Sequence, residues 1–193
     1  MAQDFSSQYL PIIMSQATNS DFKELLLQQA SKVIVEHIAK SVISSPELFN
    51  DIYSLTFDKD KKIAWRSLWV CNKISELHPS FFADKYDELI NRAMTAKDPS
   101  IMRLTLNIIL HLHQPKNINV PFLDFCIENM TALDKTSACQ AVCMKLAYKM
   151  CRYNQPELLY EIKTYIENMD EAYYNAAAIC SKNTILKNIN KNR

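Results

Sequence analysis

The chain has 193 residues, enough for one well-buried domain and short for two. Its 48% hydrophobic and 22% charged residues make an ordinary globular balance, and a formal charge of +1 argues against a surface that coats nucleic acid all over, though not against a local basic patch. Glycine is absent. Hairpin turns, dinucleotide-binding loops and phosphate loops need it at positive φ or at a close backbone approach, so the composition argues against sheet-based nucleotide enzymes and for an all-helical chain.

Residues 5–16 read as a short helix interrupted or kinked at Pro11. The first residues carry no basic segment followed by a long apolar run, so no secretory leader is expected, and no stretch approaches the roughly 18 apolar residues of a membrane span. Thr18-Asn19-Ser20-Asp21 is a dense capping signal. A helix is predicted from about Asp21 to Ser44, with Leu25, Leu26, Val33, Ile34, Ile38, Val42 and Ile43 at helical spacing. Ser44-Ser45-Pro46 stops it.

A repeat begins there. Pro46, Pro121 and Pro156 each precede a short amphipathic helix, at Glu47–Phe57, Phe122–Thr131 and Glu157–Met169, and a fourth copy without the proline starts near Ala83. Longer partner helices are predicted at about Lys62–Leu77, Ser100–His113, Thr136–Met150 and Glu171–Leu186. The second of these has Asp98 to cap it and Pro99 in its first turn, and is apolar on most sides, so neighbours must cover more than one of its faces. Arg66, Arg103, Gln140 and Asn175 stand 37, 37 and 35 residues apart, and Asp60, Asp98 and Asp134 mark the turns before three of the partner helices. A period of about 36 residues over four helix pairs is the pattern of an α-solenoid, in which each unit buries its apolar face against the next.

The start Asp98-Pro99-x-x-x-Arg103 resembles a HEAT repeat; Asp60 with Arg66 is similar, and Asp134 with Gln140 keeps the acid but not the arginine. The resemblance covers about residues 46–186 and implies a ladder in which the turn Asp and the early Arg bridge successive repeats. The period lies below the usual HEAT or armadillo length of about 40–47. The expected fold is therefore all-α: a right-handed, HEAT-like α-solenoid of four to five antiparallel helix pairs. As one domain over 1–193 it has a helical cap at 1–45, repeats at 46–82, 83–119, 120–154 and 155–189, and a frayed end at 190–193.

Candidate chemistry is sparse. Cys71, Cys126, Cys139, Cys143, Cys151 and Cys180 lie mostly within apolar helical runs and read as reduced thiols of a cytoplasmic protein. Cys139 and Cys143 share a helix face, but with Val142, Leu146 and Met150 they form an apolar stripe; a metal site would need a second pair, such as His111 and His113 or Cys126. No metal and no cofactor is expected. His37 and His78 fall near helix ends or polar faces, and of the four histidines His111 is the one whose helix could line an inner curve. Trp65 and Trp69 bracket Arg66, with Lys59, Lys61 and Lys62 just before: a base-stacking platform, or tryptophans packed between repeats beside a solvated turn. Carboxylate pairs such as Glu157 and Glu161 fall on the short outer helices, and Lys182, Lys187, Lys191 and Arg193 make a weak basic tail.

The expected function is a non-catalytic scaffold binding a protein or peptide on the concave face, with Arg66, Trp69, Lys73, Arg103, Asn107 and Gln140 as binding residues from helix phase. A buried ladder between repeats competes for the same positions, Arg66 and Arg103 above all. The alternative is a nucleic-acid-binding protein related in fold to the HEAT-like alkylation-repair DNA glycosylases, with no active-site residue carried over. A third reading has a terminal helix mediating self-association. No membrane partner is expected.

Overall fold

The computed structural model describes residues 19–28, 31–152 and 155–191, which form ten α-helices and three short 3-10 turns, with no strand among the described residues. The predicted helix at 5–16 lies outside the described residues, as does Arg193. The chain divides into two compact units, Met1–Asp84 and Lys85–Arg193.

In the first unit α1 spans Asn19–Gln28, α2 Lys32–Ser44, α3 Phe49–Leu55 and α4 Lys61–Leu77. The single helix predicted over Asp21–Ser44 is thus two. Ser31 is extended (φ −111°, ψ 150°) and its hydroxyl accepts the Ile34 N–H at 3.3 Å, which starts a new helix instead of continuing the old one. The restart shifts the helical phase, so Val33, expected in the core, is 74% exposed, while Val35 is buried. Asp60 caps α4 by accepting the Lys62 N–H at 2.8 Å. Helices α1 and α3 pack together, and both lie on α4, which also carries α2. Phe22, Leu26, Ile38, Ile52, Leu68 and Phe82 fill the core between them.

In the second unit α5 spans Tyr86–Thr95, α6 Pro99–His111, α7 Val120–Thr131, α8 Ser137–Cys151, α9 Pro156–Glu167 and α10 Ala176–Lys191. The prolines sit in the first turns of α6, α7 and α9, where a missing N–H has no intrahelical partner to lose. Asp98, Asn119 and Thr136 cap α6, α7 and α8 through their side chains. The acid predicted to mark the third turn, Asp134, leaves that work to Thr136 and pairs with Lys135.

Successive helices alternate between two layers in this unit. α5, α7 and α9 pack side by side, as do α6, α8 and α10, and each helix of the first layer packs on its successor in the second. The middle helix, α8, touches α6, α7, α9 and α10, which is why ten of its fifteen residues are buried. The architecture is an all-α solenoid of ten described helices, and those of the second unit form three consecutive packed pairs.

The last pair departs from the predicted register. Asp170 caps a separate 3-10 turn, Glu171–Tyr173, and the helix begins only at Ala176. Asn175, aligned by spacing with Arg66, Arg103 and Gln140, is not a helix-face residue. Its side chain accepts the Ala177 and Ala178 N–H groups at 3.1 and 3.2 Å, the geometry of a cap.

Candidate binding surface

A helix leaves its last carbonyls without intrahelical donors, and several polar side chains here are committed to them. Arg66 donates to the carbonyls of Leu26 and Leu27 at the end of α1. Gln140 is buried, and its Nε2 donates to the Ala132 carbonyl past the end of α7 at 2.9 Å. Lys149 donates to Leu110 and Leu112 at the end of α6, both at 2.7 Å, where Gln114 adds a bond to the Ile109 carbonyl at 3.1 Å. Lys182, read from sequence as part of a basic tail, is only 8% exposed; it donates to the Met169 carbonyl at 2.8 Å and pairs with Glu171 at 3.2 Å. The ladder implied by the HEAT resemblance takes a different form. Asp60 and Asp98 cap their own helices, and Arg66, Gln140 and Lys149 bond carbonyls of earlier segments instead.

Of the other predicted residues in the first unit, Trp69 is half-buried and its ring lies 5.5 Å from that of Trp65, so the pair is neither free nor fully covered. Lys73 bonds Glu76 at 2.9 Å; that bond, with a smaller contribution from Glu36 on α2, holds its pKa above the ordinary lysine value. The lysine-rich turn before α4 is mixed in charge, with Asp58 bound to Lys23 at 2.6 Å, and that hydrogen bond lowers the Asp58 pKa.

In the second unit Arg103 and Asn107 are half-buried on α6. They begin a stripe that the packing leaves outward. It runs through Arg103, Asn107 and Leu110 on α6, Ala138, Ala141 and Lys145 on α8, and Cys180, Thr184 and Lys187 on α10. The charges are sorted between the layers. Helices α6, α8 and α10 contain Arg103, Lys145, Lys149, Lys182, Lys187 and Lys191 and not one acid. The other layer holds Asp87 and Glu88 on α5, Asp124 and Glu128 on α7, and Glu157, Glu161 and Glu167 on α9, against Arg92 and Lys163. Sequence reasoning missed this sorting, although counting charge helix by helix exposes it once alternate helices are known to share a layer. Where Lys149 meets Arg152, desolvation first and the neighbouring guanidinium second lower its pKa.

The thiols belong to the core. Cys126, Cys139 and Cys143 are fully or nearly buried and hydrogen-bond among themselves, and the Cys139 thiol also donates to the Met102 sulfur at 3.7 Å. The bond to Cys143 with burial raises the Cys139 pKa, and the bond to Cys126 with burial raises that of Cys143, both far beyond the ordinary thiol value; burial lifts Cys151 to about 11. Such thiols are inert as nucleophiles at neutral pH. Among the described residues no group of three or more His, Cys, Asp or Glu is arranged to hold a metal ion.

A profile of the HEAT repeat domain matches residues 22–189, which takes in both units and nearly all the described helices. The chain belongs to the HEAT repeat domain family. No curated protein matches it. The family match covers α1 and α2 as well, beyond the 46–186 range of the sequence resemblance. The chain is accordingly an all-α helical-repeat protein, and no described helix is long and apolar enough to cross a membrane.

Proposed function

We propose that this protein is a non-catalytic scaffold and binds a protein or peptide along the outward side of its second-layer helices, in a cytoplasmic setting suited to its free thiols. The observation that carries the reading is the stripe across α6, α8 and α10, where Asn107, small side chains and cations stand on three helices packed side by side. Such a surface offers backbone-directed hydrogen bonds and charge over a length that suits an extended segment better than a small molecule. Arg103 and Asn107 are its contact residues on α6; Trp69 and Lys73 are candidates for a contact made by the first unit. Arg66 and Gln140 serve the fold, holding helix ends.

Selection of a random peptide library on the full chain tests this. Enriched peptides should lose about tenfold in affinity against an Arg103→Ala, Asn107→Ala chain and nothing against Asn91→Ala, on the exposed side of α5. The reading fails if nothing is enriched, or if Asn91→Ala weakens binding equally.

A further inference from the structure

The sorting of charge within the second unit says what kind of partner its outward stripe suits. Lys145, Lys187 and Lys191 are exposed, and Arg103 is half-buried between α6 and solvent. No acid lies on α6, α8 or α10 to neutralise them. The acids of α5, α7 and α9 belong to the other layer. Helix axes in adjacent layers lie about 8–10 Å apart and side chains extend further on both sides, so the two charged surfaces are separated by roughly 20 Å. That is about two Debye lengths at physiological salt, so a near-zero total charge does not cancel the local field.

We propose that the outward face of α6, α8 and α10 docks an acidic peptide segment, one rich in Asp and Glu, held by Arg103, Lys145 and Lys187. The inference rests on the scaffold reading above and specifies the chemistry of its ligand. Two features favour a peptide over nucleic acid. The exposed large apolar and aromatic residues of this unit, Tyr160, Tyr165 and Tyr173 among them, lie outside these three helices, so the face lacks rings for bases to stack on. Its cations are also few and spaced by Asn107, Ala141 and Thr184, whereas strong duplex binding rests on roughly 6–10 phosphate contacts. The Asn107 amide and the Thr184 hydroxyl beside spaced cations match a polypeptide, whose backbone needs hydrogen-bond partners between its charged side chains.

The test uses the full chain and fluorescence anisotropy. The probes are a labelled peptide of alternating Glu and Ser, its Gln and Ser counterpart, and single-stranded and duplex DNA carrying equal charge. The acidic peptide is expected to bind and the Gln form not. Binding should fall about tenfold in a Lys145→Gln, Lys187→Gln chain, as loss of two exposed charge contacts would give, and stay unchanged with Lys163→Gln on α9. Both replaced lysines are exposed, and an unaltered circular dichroism melt confirms that the variant is folded. A Lys145→Glu, Lys187→Glu chain should in turn prefer a Lys and Ser peptide.

DNA binding tighter than the acidic peptide overturns the proposal in favour of nucleic acid. Self-association lost in the double variant overturns it in favour of a second copy's acidic layer. Acidic-peptide binding that the double variant leaves unchanged also refutes it. Enrichment of neutral peptides that still depend on Arg103 and Asn107 would overturn the acidic partner alone and leave the scaffold reading standing.

Discussion

Replacing Lys149 with methionine keeps most of the side chain's length and removes its charge and donors. The ammonium gives two bonds of 2.7 Å to the last carbonyls of α6, at Leu110 and Leu112. Leu112 keeps a 3.3 Å bond from Gln114, whereas Leu110 loses its side-chain donor. A half-buried carbonyl left without a donor costs about 1–3 kcal/mol, and the second charge-assisted bond adds about 1 kcal/mol. Relief of the desolvated ammonium and of its repulsion with Arg152, both of which lower its pKa, offsets a small part of that loss. The expected net loss is about 2 kcal/mol, or a fall of roughly 4–8 °C in melting temperature for a chain of this size. Urea titrations followed by helical circular dichroism measure it, with Lys145→Met as the control. Lys145 is exposed one turn earlier on the same helix, and its loss should stay within about 0.5 kcal/mol. Parental stability in Lys149→Met, or an equal cost in Lys145→Met, would refute the assignment of Lys149 as the device that closes the end of α6.

Two further outcomes follow from the same packing. The Tyr86 hydroxyl donates to Gln114 at 2.8 Å, and burial raises its pKa from 10.0 to about 12. The unfolded chain ionises first, so the contribution is whole below pH 10 and declines as pH climbs toward about 12; Tyr86→Phe should flatten that limb of a stability-against-pH curve. Among the six cysteines only Cys180 is exposed, so a thiol reagent at neutral pH should label one site quickly and reach the other five only on unfolding; fast labelling of Cys139 or Cys143 would contradict the core described here.

Much of this molecule is local and therefore readable from the chain. The absence of glycine, prolines placed for first turns, and helices apolar on several sides predict paired helices that cover one another. The cap at Asp98 is equally plain, because a capping side chain reaches an N–H only two or three residues on. The break at Ser31 was less visible, since helical spacing in apolar residues continues plausibly across it and only the backbone reveals the new start. Asn175 was misaligned for a similar reason: spacing counts residues, whereas the turn Glu171–Tyr173 takes up several of them before the helix begins.

What the sequence determined by itself is the kind of structure: helices, their approximate number, and most of their first residues. Tertiary structure alone decided where the polar side chains are committed. Arg66 serves carbonyls 40 and 39 residues away, and Lys149 serves others 39 and 37 away, on helices brought alongside by burial of apolar surface. Helix beginnings are closed by neighbours in the chain, whereas these helix ends are closed by neighbours in space. The layer of cations shares that origin, because Arg103, Lys145 and Lys187 become one surface only when every second helix packs on the same side.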